Sequence, residues 1–209
     1  MSNLIQLKDG VASVVEDAWT IVKLPVSNAE ERKQAGKVVL FKLTGENSVT
    51  AEQIAGTIIP ENGKVIVPLS VFIANKDALA SRIDTAYQGI WPGIWLDTHE
   101  TLESLIEAVG DVNKLPIIAV HVERFADGRI FSLGTLLRTR YGYKNELRAF
   151  GDVLRDQLFF LKRSGFTSYL IRADRSAEDA LTSLNDFSQP YQGAVDEPQP
   201  VFKRYNRGI

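Results

Sequence analysis

Short apolar runs alternate with segments of helical periodicity over the C-terminal two-thirds of the chain. The apolar runs predict five strands, at residues 64–67, 93–96, 116–122, 147–150 and 168–171. Apolar residues spaced three or four positions apart follow each run, which is the spacing of a helix with one buried face. These segments predict helices at residues 69–81, 101–109, 131–140, 153–164 and 177–184. Strands that alternate with helices of this length favour βαβ units.

The alternation predicts an α/β fold with an open, mostly parallel sheet or a partial barrel of about five βα units. A closed barrel of eight units typically takes ~250 residues, more than residues 64–186 provide. The first 62 residues have a different pattern, with predicted strands at 19–24 and 37–43. A capping box at Thr50-Ala-Glu-Gln53 predicts a short helix after them. We interpret this segment as a small β-rich N-terminal appendage.

The last residues of the chain, 189–209, contain three prolines and are expected to form an extended tail. Phe202 and Tyr205 lie among basic residues in this tail, so they are expected to pack against the protein or against a partner. The predicted organisation is an appendage at 1–62, a βα-repeat domain at 63–188 and the tail at 189–209.

The composition excludes several classes of protein. With 44% hydrophobic and 24% charged residues, the chain is of the globular type. No apolar run approaches the ~20 residues of a membrane-spanning helix and no signal peptide is evident, so we expect a cytoplasmic protein without membrane contact. The absence of cysteine excludes disulfides, a cysteine nucleophile and thiolate-bound clusters. A net charge of −2 argues against nucleic-acid binding.

Arginine is concentrated in the second half of the chain. Eleven of the 13 arginines lie in residues 115–209, and five lie between Phe125 and Gln157. Arginine presents a planar fork of donors that suits phosphate and sulfur oxyanions, and ligands bind beyond the carboxyl ends of parallel strands. The charged residues in or just after the predicted strands form what we call the predicted rim: Asp97, Asp127, Arg129, Arg148, Asp152, Arg155 and Arg172.

The acidic members of the predicted rim also have structural interpretations. Asp97, with Glu100 three residues later, is suited to cap the following helix, and so is Asp152. Asp127-Gly128 is a common turn pair. A structural role and a ligand-binding role therefore both remain open for these residues.

Arg148 lies in the middle of a predicted strand that should be covered on both faces. A buried arginine needs an anionic partner, so Arg148 is either a site residue or half of an internal salt bridge. His121 lies in an apolar strand and fits a core histidine, while Arg138 and Arg140 fit a solvated helix face. The acids considered as partners of Arg148 are Asp97, Glu123 and Asp127.

The sequence gives no cofactor fingerprint. It contains no Gly-x-Gly-x-x-Gly motif, no complete phosphate loop and no Gly-x-Ser-x-Gly elbow. Two histidines without cysteine argue against a dedicated zinc site. A magnesium site built from Asp97, Glu123 and Asp127 is a weaker hypothesis. The cofactor is therefore unknown, and catalysis is uncertain.

Several segments carry a family resemblance. They are Gly93-Ile-Trp-Leu-Asp97, Phe125-Ala-Asp-Gly-Arg129, Arg138-Thr-Arg-Tyr-Gly-Tyr143, Glu146-Leu-Arg-Ala149, Gly151-Asp-Val-Leu-Arg-Asp-Gln157, Asp186-Phe-Ser188, Tyr191-Gln192 and Pro200-Val-Phe-Lys-Arg204. With these motifs, residues 64–204 resemble a bacterial family of uncharacterised proteins. Its members are described as oxidoreductases of sulfite reduction, and their genes tend to lie beside the gene for assimilatory sulfite reductase. The resemblance implies a pathway more firmly than a mechanism.

Three functions follow as hypotheses. The first is an accessory protein of assimilatory sulfite reduction, within sulfate assimilation and cysteine biosynthesis, that docks to sulfite reductase and binds an oxyanion at the predicted rim. The second is a small nicotinamide- or flavin-dependent oxidoreductase of the same pathway. The third is an α/β protein that binds a phosphorylated metabolite. The resemblance favours the first two, and the arginine content supports the first.

Overall fold

The computed structural model describes residues 3–25, 49–83, 87 and 89–204. Within these residues, eight strands form one mixed sheet that curls into a half-barrel. The strands are β1 (Leu4–Lys8), β2 (Val11–Val15), β3 (Trp19–Ile21), β4 (Lys64–Pro68), β5 (Gly93–Asp97), β6 (Ile117–Val122), β7 (Glu146–Gly151) and β8 (Ser168–Leu170). The five strands predicted from the apolar runs correspond to β4–β8.

Strands β3 to β8 lie side by side in chain order and are parallel, whereas β1 pairs antiparallel with both β8 and β2. The sheet is therefore mixed, which corrects the prediction of a mostly parallel sheet. The count of five βα units is not confirmed either, because β3 adds a parallel strand ahead of them. The β-rich N-terminal segment thus supplies strands to the main sheet and does not stand apart as an appendage.

The hairpin formed by β1 and β2 turns at Asp9 and Gly10. Both residues have positive φ, 51° and 80°, as the two central residues of a type I′ turn require. Asp-Gly is a strong hairpin signal when apolar residues flank it, so the sequence carried the information. The prediction missed the hairpin because each of its strands is short and only partly buried.

The connection from β2 to β3 forces the sheet to curl. These two strands are the opposite edges of the sheet, yet only residues 16–18 lie between them. The chain from Val15 to Trp19 can span at most ~14 Å when fully extended. The two edges must therefore approach each other, and the sheet acquires an enclosed inner face.

Eight short helices occur in the described residues, and most of them cover the outer face of the sheet. They are α1 (Ala51–Ala55), α2 (Leu69–Ala74), α3 (Lys76–Ser81), α4 (Leu102–Val109), α5 (Arg129–Thr139), α6 (Leu158–Arg163), α7 (Ala177–Leu181) and α8 (Val201–Arg204). Three 3-10 turns accompany them, at Val112–Lys114, Arg155–Gln157 and Thr182–Asn185.

Side-chain hydrogen bonds explain why one predicted helix is divided and why another begins where it was predicted. The helix predicted at 69–81 divides into α2 and α3 at Asn75, whose side-chain amide donates to the Val71 carbonyl at 2.9 Å. Asn favours such side-chain bonds over continued helix. The predicted capping box is confirmed at α1, where Thr50 and Gln53 bond each other's backbone N–H at 3.2 and 3.0 Å.

Alternate strand residues face two separate apolar clusters. On the outer face, residues such as Leu147 and Ala149 pack against the helices in the larger core. On the inner face lies a smaller cluster of five buried residues: Ile66, Trp95, Ile117, Ala119 and Phe150. The inner face is thus apolar in its middle, and the polar groups around this cluster are the ones that bear on function.

Arg148 lies on the inner face and is 1% exposed. Its Nη1 donates to both carboxylate oxygens of Asp17, at 2.9 and 2.8 Å, and its Nη2 donates to Glu146 at 2.9 Å. Ser168 and Gln6 donate to the same Glu146 carboxylate, at 2.6 and 3.4 Å. Arg148 therefore forms an internal salt bridge, but with partners other than the acids considered from the sequence.

The C-terminal segment folds back on the protein and does not extend away from it. Arg163 pairs with Asp196 at 3.3 Å, and Val195 donates its N–H to the Arg163 carbonyl at 3.0 Å. The rings of Tyr191 and Phe202 lie 6.0 Å apart, although Phe202 is 57% exposed. Tyr205 and the strand predicted at 37–43 lie outside the described residues.

No helix in the described part of the chain combines the length and the apolar character that crossing a membrane would require.

Arg148→Ala should lower the free energy of unfolding by about 3 kcal/mol, because it leaves the carboxylates of Asp17 and Glu146 without their cation. Chemical denaturation at neutral pH measures this change. Arg155→Ala is the matched control, since Arg155 is exposed and its loss should change stability by less than about 0.5 kcal/mol. Equal unfolding midpoints for the two variants would show that the buried pair contributes nothing.

Candidate functional site

A cavity of about 740 Å³ opens at the carboxyl ends of the parallel strands. The end residues of four strands line it: Pro68 of β4, Asp97 of β5, Gly151 of β7 and Leu170 of β8. Its volume is within the ~300–1,000 Å³ typical of small-molecule sites. The carboxyl end of a parallel sheet is also where α/β proteins bind ligands. This cavity is therefore the candidate site.

An aromatic wall forms one side of the cavity. Trp95, His121 and Phe150 come from neighbouring strands, and their rings contact edge-on or tilted with centroids 5.0–5.7 Å apart. The Trp95 indole donates to the Val22 carbonyl at 2.8 Å, which fixes its orientation. This wall was not predicted from the sequence. Strand periodicity from Ile117 onward would have placed His121 on the inner face near the strand end.

Asp97 stands between the two histidines of the chain. Its carboxylate oxygens lie 3.6 Å from Nδ1 of His99 and 3.7 Å from Nδ1 of His121. Burial raises the pKa of Asp97, but the two imidazoles lower it by more, so the pKa lies well below its ordinary value. Asp97 is therefore a carboxylate at any physiological pH. It does not cap the next helix, because Thr101 is the N-cap of α4.

Two further acids line the cavity near Asp97. Glu100 accepts the Asp97 backbone N–H at 2.7 Å, and burial raises its pKa. Glu123 follows β6. The basic residues on the lining are Lys23 and Arg172. Among the described side chains, the lining thus carries three acids, two basic residues and the imidazole of His121.

Asp127 and Arg129 of the predicted rim form an ion pair outside the cavity lining. Asp127 accepts from Nε and Nη2 of Arg129, at 2.8 and 2.5 Å, and from the Thr98 hydroxyl. The Arg129 hydrogen bonds lower the pKa of Asp127 to about 2, despite partial burial. Because Thr98 follows β5 and Asp127 follows β6, this cluster joins two neighbouring loops.

Asp152 and Arg172 form a second ion pair at the same end of the sheet. Arg172 donates to Asp152 at 2.7 Å and to Asp174 at 2.6 and 3.0 Å. The hydrogen bonds that Arg172 donates to the carboxylates of Asp174 and Asp152 raise its pKa. Asp152 also accepts the Phe125 backbone N–H at 2.9 Å, so it joins the loops after β6, β7 and β8 and does not cap a helix.

A model of a family described as "Bacterial protein of unknown function (DUF934)" matches residues 93–202, more than half of the chain. The chain belongs to this family. No curated protein and no solved structure matches it. The DUF934 match begins at β5, so it includes Asp97, His121, Gly151 and Arg172 of the cavity, and it names no activity.

The predicted rim is thus divided between different places in this DUF934 protein. Asp97 and Arg172 line the cavity, while Asp127, Arg129 and Asp152 support the loops around it. The remaining two do not join them. Arg148 does not line the cavity but forms the buried salt bridge with Asp17 and Glu146. Arg155 is exposed at the start of a 3-10 turn.

The magnesium hypothesis is not supported. Among the described residues, no group of three or more His, Asp or Glu side chains is arranged to hold a metal ion. Asp127 is turned to Arg129 and Thr98 instead, which removes it from the trio proposed with Asp97 and Glu123.

Asp127→Asn should make stability less dependent on pH in the acidic range. The pKa of Asp127 is depressed in the folded protein, from 3.8 to about 2, so its carboxylate stabilises the fold above pH 3.8 and loses that effect as the pH falls towards 2. The stability difference between wild type and variant should therefore shrink over this window in denaturant titrations. The exposed Asp156→Asn is the control, and a difference that stays constant would contradict the assignment.

Gly151→Ala should destabilise the protein more than Gly142→Ala. Both glycines have positive φ, 102° and 62°, which costs about 1–2 kcal/mol for a residue with a Cβ. A Cβ at position 151 would also meet the Val122 carbonyl and lie 2.8 Å from Cδ2 of His121, whereas Gly142 has open space. We expect a further loss of about 1–3 kcal/mol at Gly151 from this crowding. Equal losses in the free energy of unfolding, measured by chemical denaturation, would show that the His121 ring and strand β6 move aside at no cost in stability.

Proposed function

We propose that this protein is an accessory protein of assimilatory sulfite reduction that binds a small organic molecule in the cavity at the carboxyl ends of β4–β8. The cavity itself supports the proposal of ligand binding, because it combines the aromatic rings of Trp95 and Phe150 with ionisable groups. The motif resemblance described above supports the pathway.

The walls of the cavity favour an organic ligand over a bare oxyanion. Arg172 is the arginine on the lining, and its Nε, Nη1 and Nη2 already donate to Asp152 and Asp174. A sulfite or sulfate ion would have to displace these carboxylates and approach Asp97, Glu100 and Glu123. A ligand with a planar or apolar body gains contact with the aromatic rings and needs fewer compensating charges.

Growth of a deletion strain tests the proposal. Removing the gene from its bacterial host should impair growth on sulfate or sulfite as sole sulfur source, and cysteine should restore it. A plasmid copy of the wild-type gene should restore growth on sulfite as well. Normal growth of the deletion strain on sulfite would refute the pathway assignment.

A cavity-filling variant links the phenotype to the site. Ser70 lines the cavity, and its buried hydroxyl has no hydrogen-bond partner among the described residues. Ser70→Leu should therefore fill part of the cavity without the loss of a hydrogen bond. We expect this variant to fold and to fail in complementation. Arg155→Ala, which alters an exposed residue away from the cavity, should complement fully. If Ser70→Leu complements as well as Arg155→Ala, the cavity is not the functional site.

A further inference from the structure

The environment of His121 is asymmetric, and this asymmetry gives the imidazole a defined orientation. Nδ1 is buried and makes no hydrogen bond, and a carboxylate oxygen of Asp97 lies 3.7 Å away from it. The side chain as a whole is nevertheless 31% exposed. The exposed part of the ring therefore lies away from Nδ1. His121 lines the cavity, and so does Gly151, which lies next to Nε2.

Three neighbours hold the ring in this orientation. Trp95 and Phe150 contact it from either side along the sheet, at centroid distances of 5.7 and 5.0 Å. Gly151 lies next to the Nε2 edge, where a Cβ would approach Nε2 to 3.1 Å and Cδ2 to 2.8 Å. Because glycine has no Cβ, residue 151 does not crowd Nε2 or Cδ2. A φ of 102° explains why glycine is suited to this position.

An imidazole with a carboxylate beside one nitrogen and a ligand cavity beside the other can transfer protons. The carboxylate favours the tautomer with hydrogen on Nδ1, which leaves the lone pair of Nε2 available. It also stabilises the imidazolium that forms when Nε2 takes up a proton. The distance of 3.7 Å exceeds a hydrogen bond, but such contacts tighten when a ligand binds.

We propose that His121 is a proton-transfer residue acting through Nε2, and that Asp97 is the residue that positions it. The substrate is an organic molecule whose planar or apolar body lies against Trp95 and Phe150 and which presents an acidic C–H, N–H or O–H to the ring. In the step, that bond breaks, the proton bonds to Nε2 and the electron pair stays on the substrate. This inference deepens the proposed function, since both use the same cavity.

His99 has a different role from His121. It lies on the other oxygen of Asp97, at 3.6 Å, and its side chain is only 9% exposed. It is absent from the cavity lining that includes His121. His99 therefore helps to hold Asp97 in place, and the proposal assigns proton transfer to one of the two histidines.

Nitrogen-15 NMR of the imidazoles tests the orientation. The chain has only two histidines, so the loss of one set of signals in His121→Gln assigns both. In wild type at a pH where the ring is neutral, we expect His121 to carry hydrogen on Nδ1 and to show an unprotonated Nε2. In Asp97→Asn, with an unchanged amide spectrum as the check on folding, that preference should be lost. A His121 protonated at Nε2 in the wild type would overturn the proposal, as would a tautomer unaffected by Asp97→Asn.

Carbethoxylation with diethyl pyrocarbonate tests the reactivity of Nε2 without any variant of Asp97. The reagent should modify His121 in the native protein, and His121→Gln should lose that modification. Modification of His99 alone would overturn the proposal. Neither measurement uses the growth phenotype, so failure of the sulfite pathway assignment and failure of this inference give separate results.

Discussion

The pairing of Arg148 with Asp17 is the contact on which the shape of the inner face depends. Asp17 belongs to the three-residue connection between the two edge strands, and Arg148 comes from β7, inside the sheet. The pair fixes that connection across the interior. A guanidinium that is 1% exposed is tolerated only because Asp17 and Glu146 together surround it with acceptors. The short connection makes the sheet curl, and the pair holds this connection in place on the inner face.

Arginine in this chain acts chiefly as a tie between segments. Arg129 and Arg172 pair with carboxylates around the cavity mouth, and Arg163 anchors the C-terminal segment through Asp196. Loops held in this way lose less entropy when a ligand binds, because their geometry already exists. The cavity itself is lined by aromatic rings, an imidazole and carboxylates. Much of the arginine that the sequence concentrates in its second half therefore stabilises the loops around the candidate site.

The sequence was sufficient for the central strands and insufficient for the contacts that define the site. Strands such as β6 are buried on both faces, so they read as continuous apolar runs and were predicted to within about one residue. The partner of Arg148 is 131 positions away, and no local pattern reveals a contact of that kind. His121 was interpreted as a core histidine because its strand is apolar. The register of β6 with its neighbours places His121 beside Asp97 and Phe150. Only this register distinguishes a histidine of the core from one that lines the cavity.

The pairing of β1 with β8 has a consequence for how the protein is made. Ile5 lies opposite Tyr169, so β1 pairs with β8, the strand of the sheet that is synthesised last. Contacts of such high sequence separation form slowly, because a long loop must close before they are gained. The hairpin of β1 and β2 lacks the strand that joins it to the sheet until residue 170 has been synthesised. Until then the edge of β1 that faces β8 has no partner strand, and an unpaired strand edge favours aggregation of a partly folded chain.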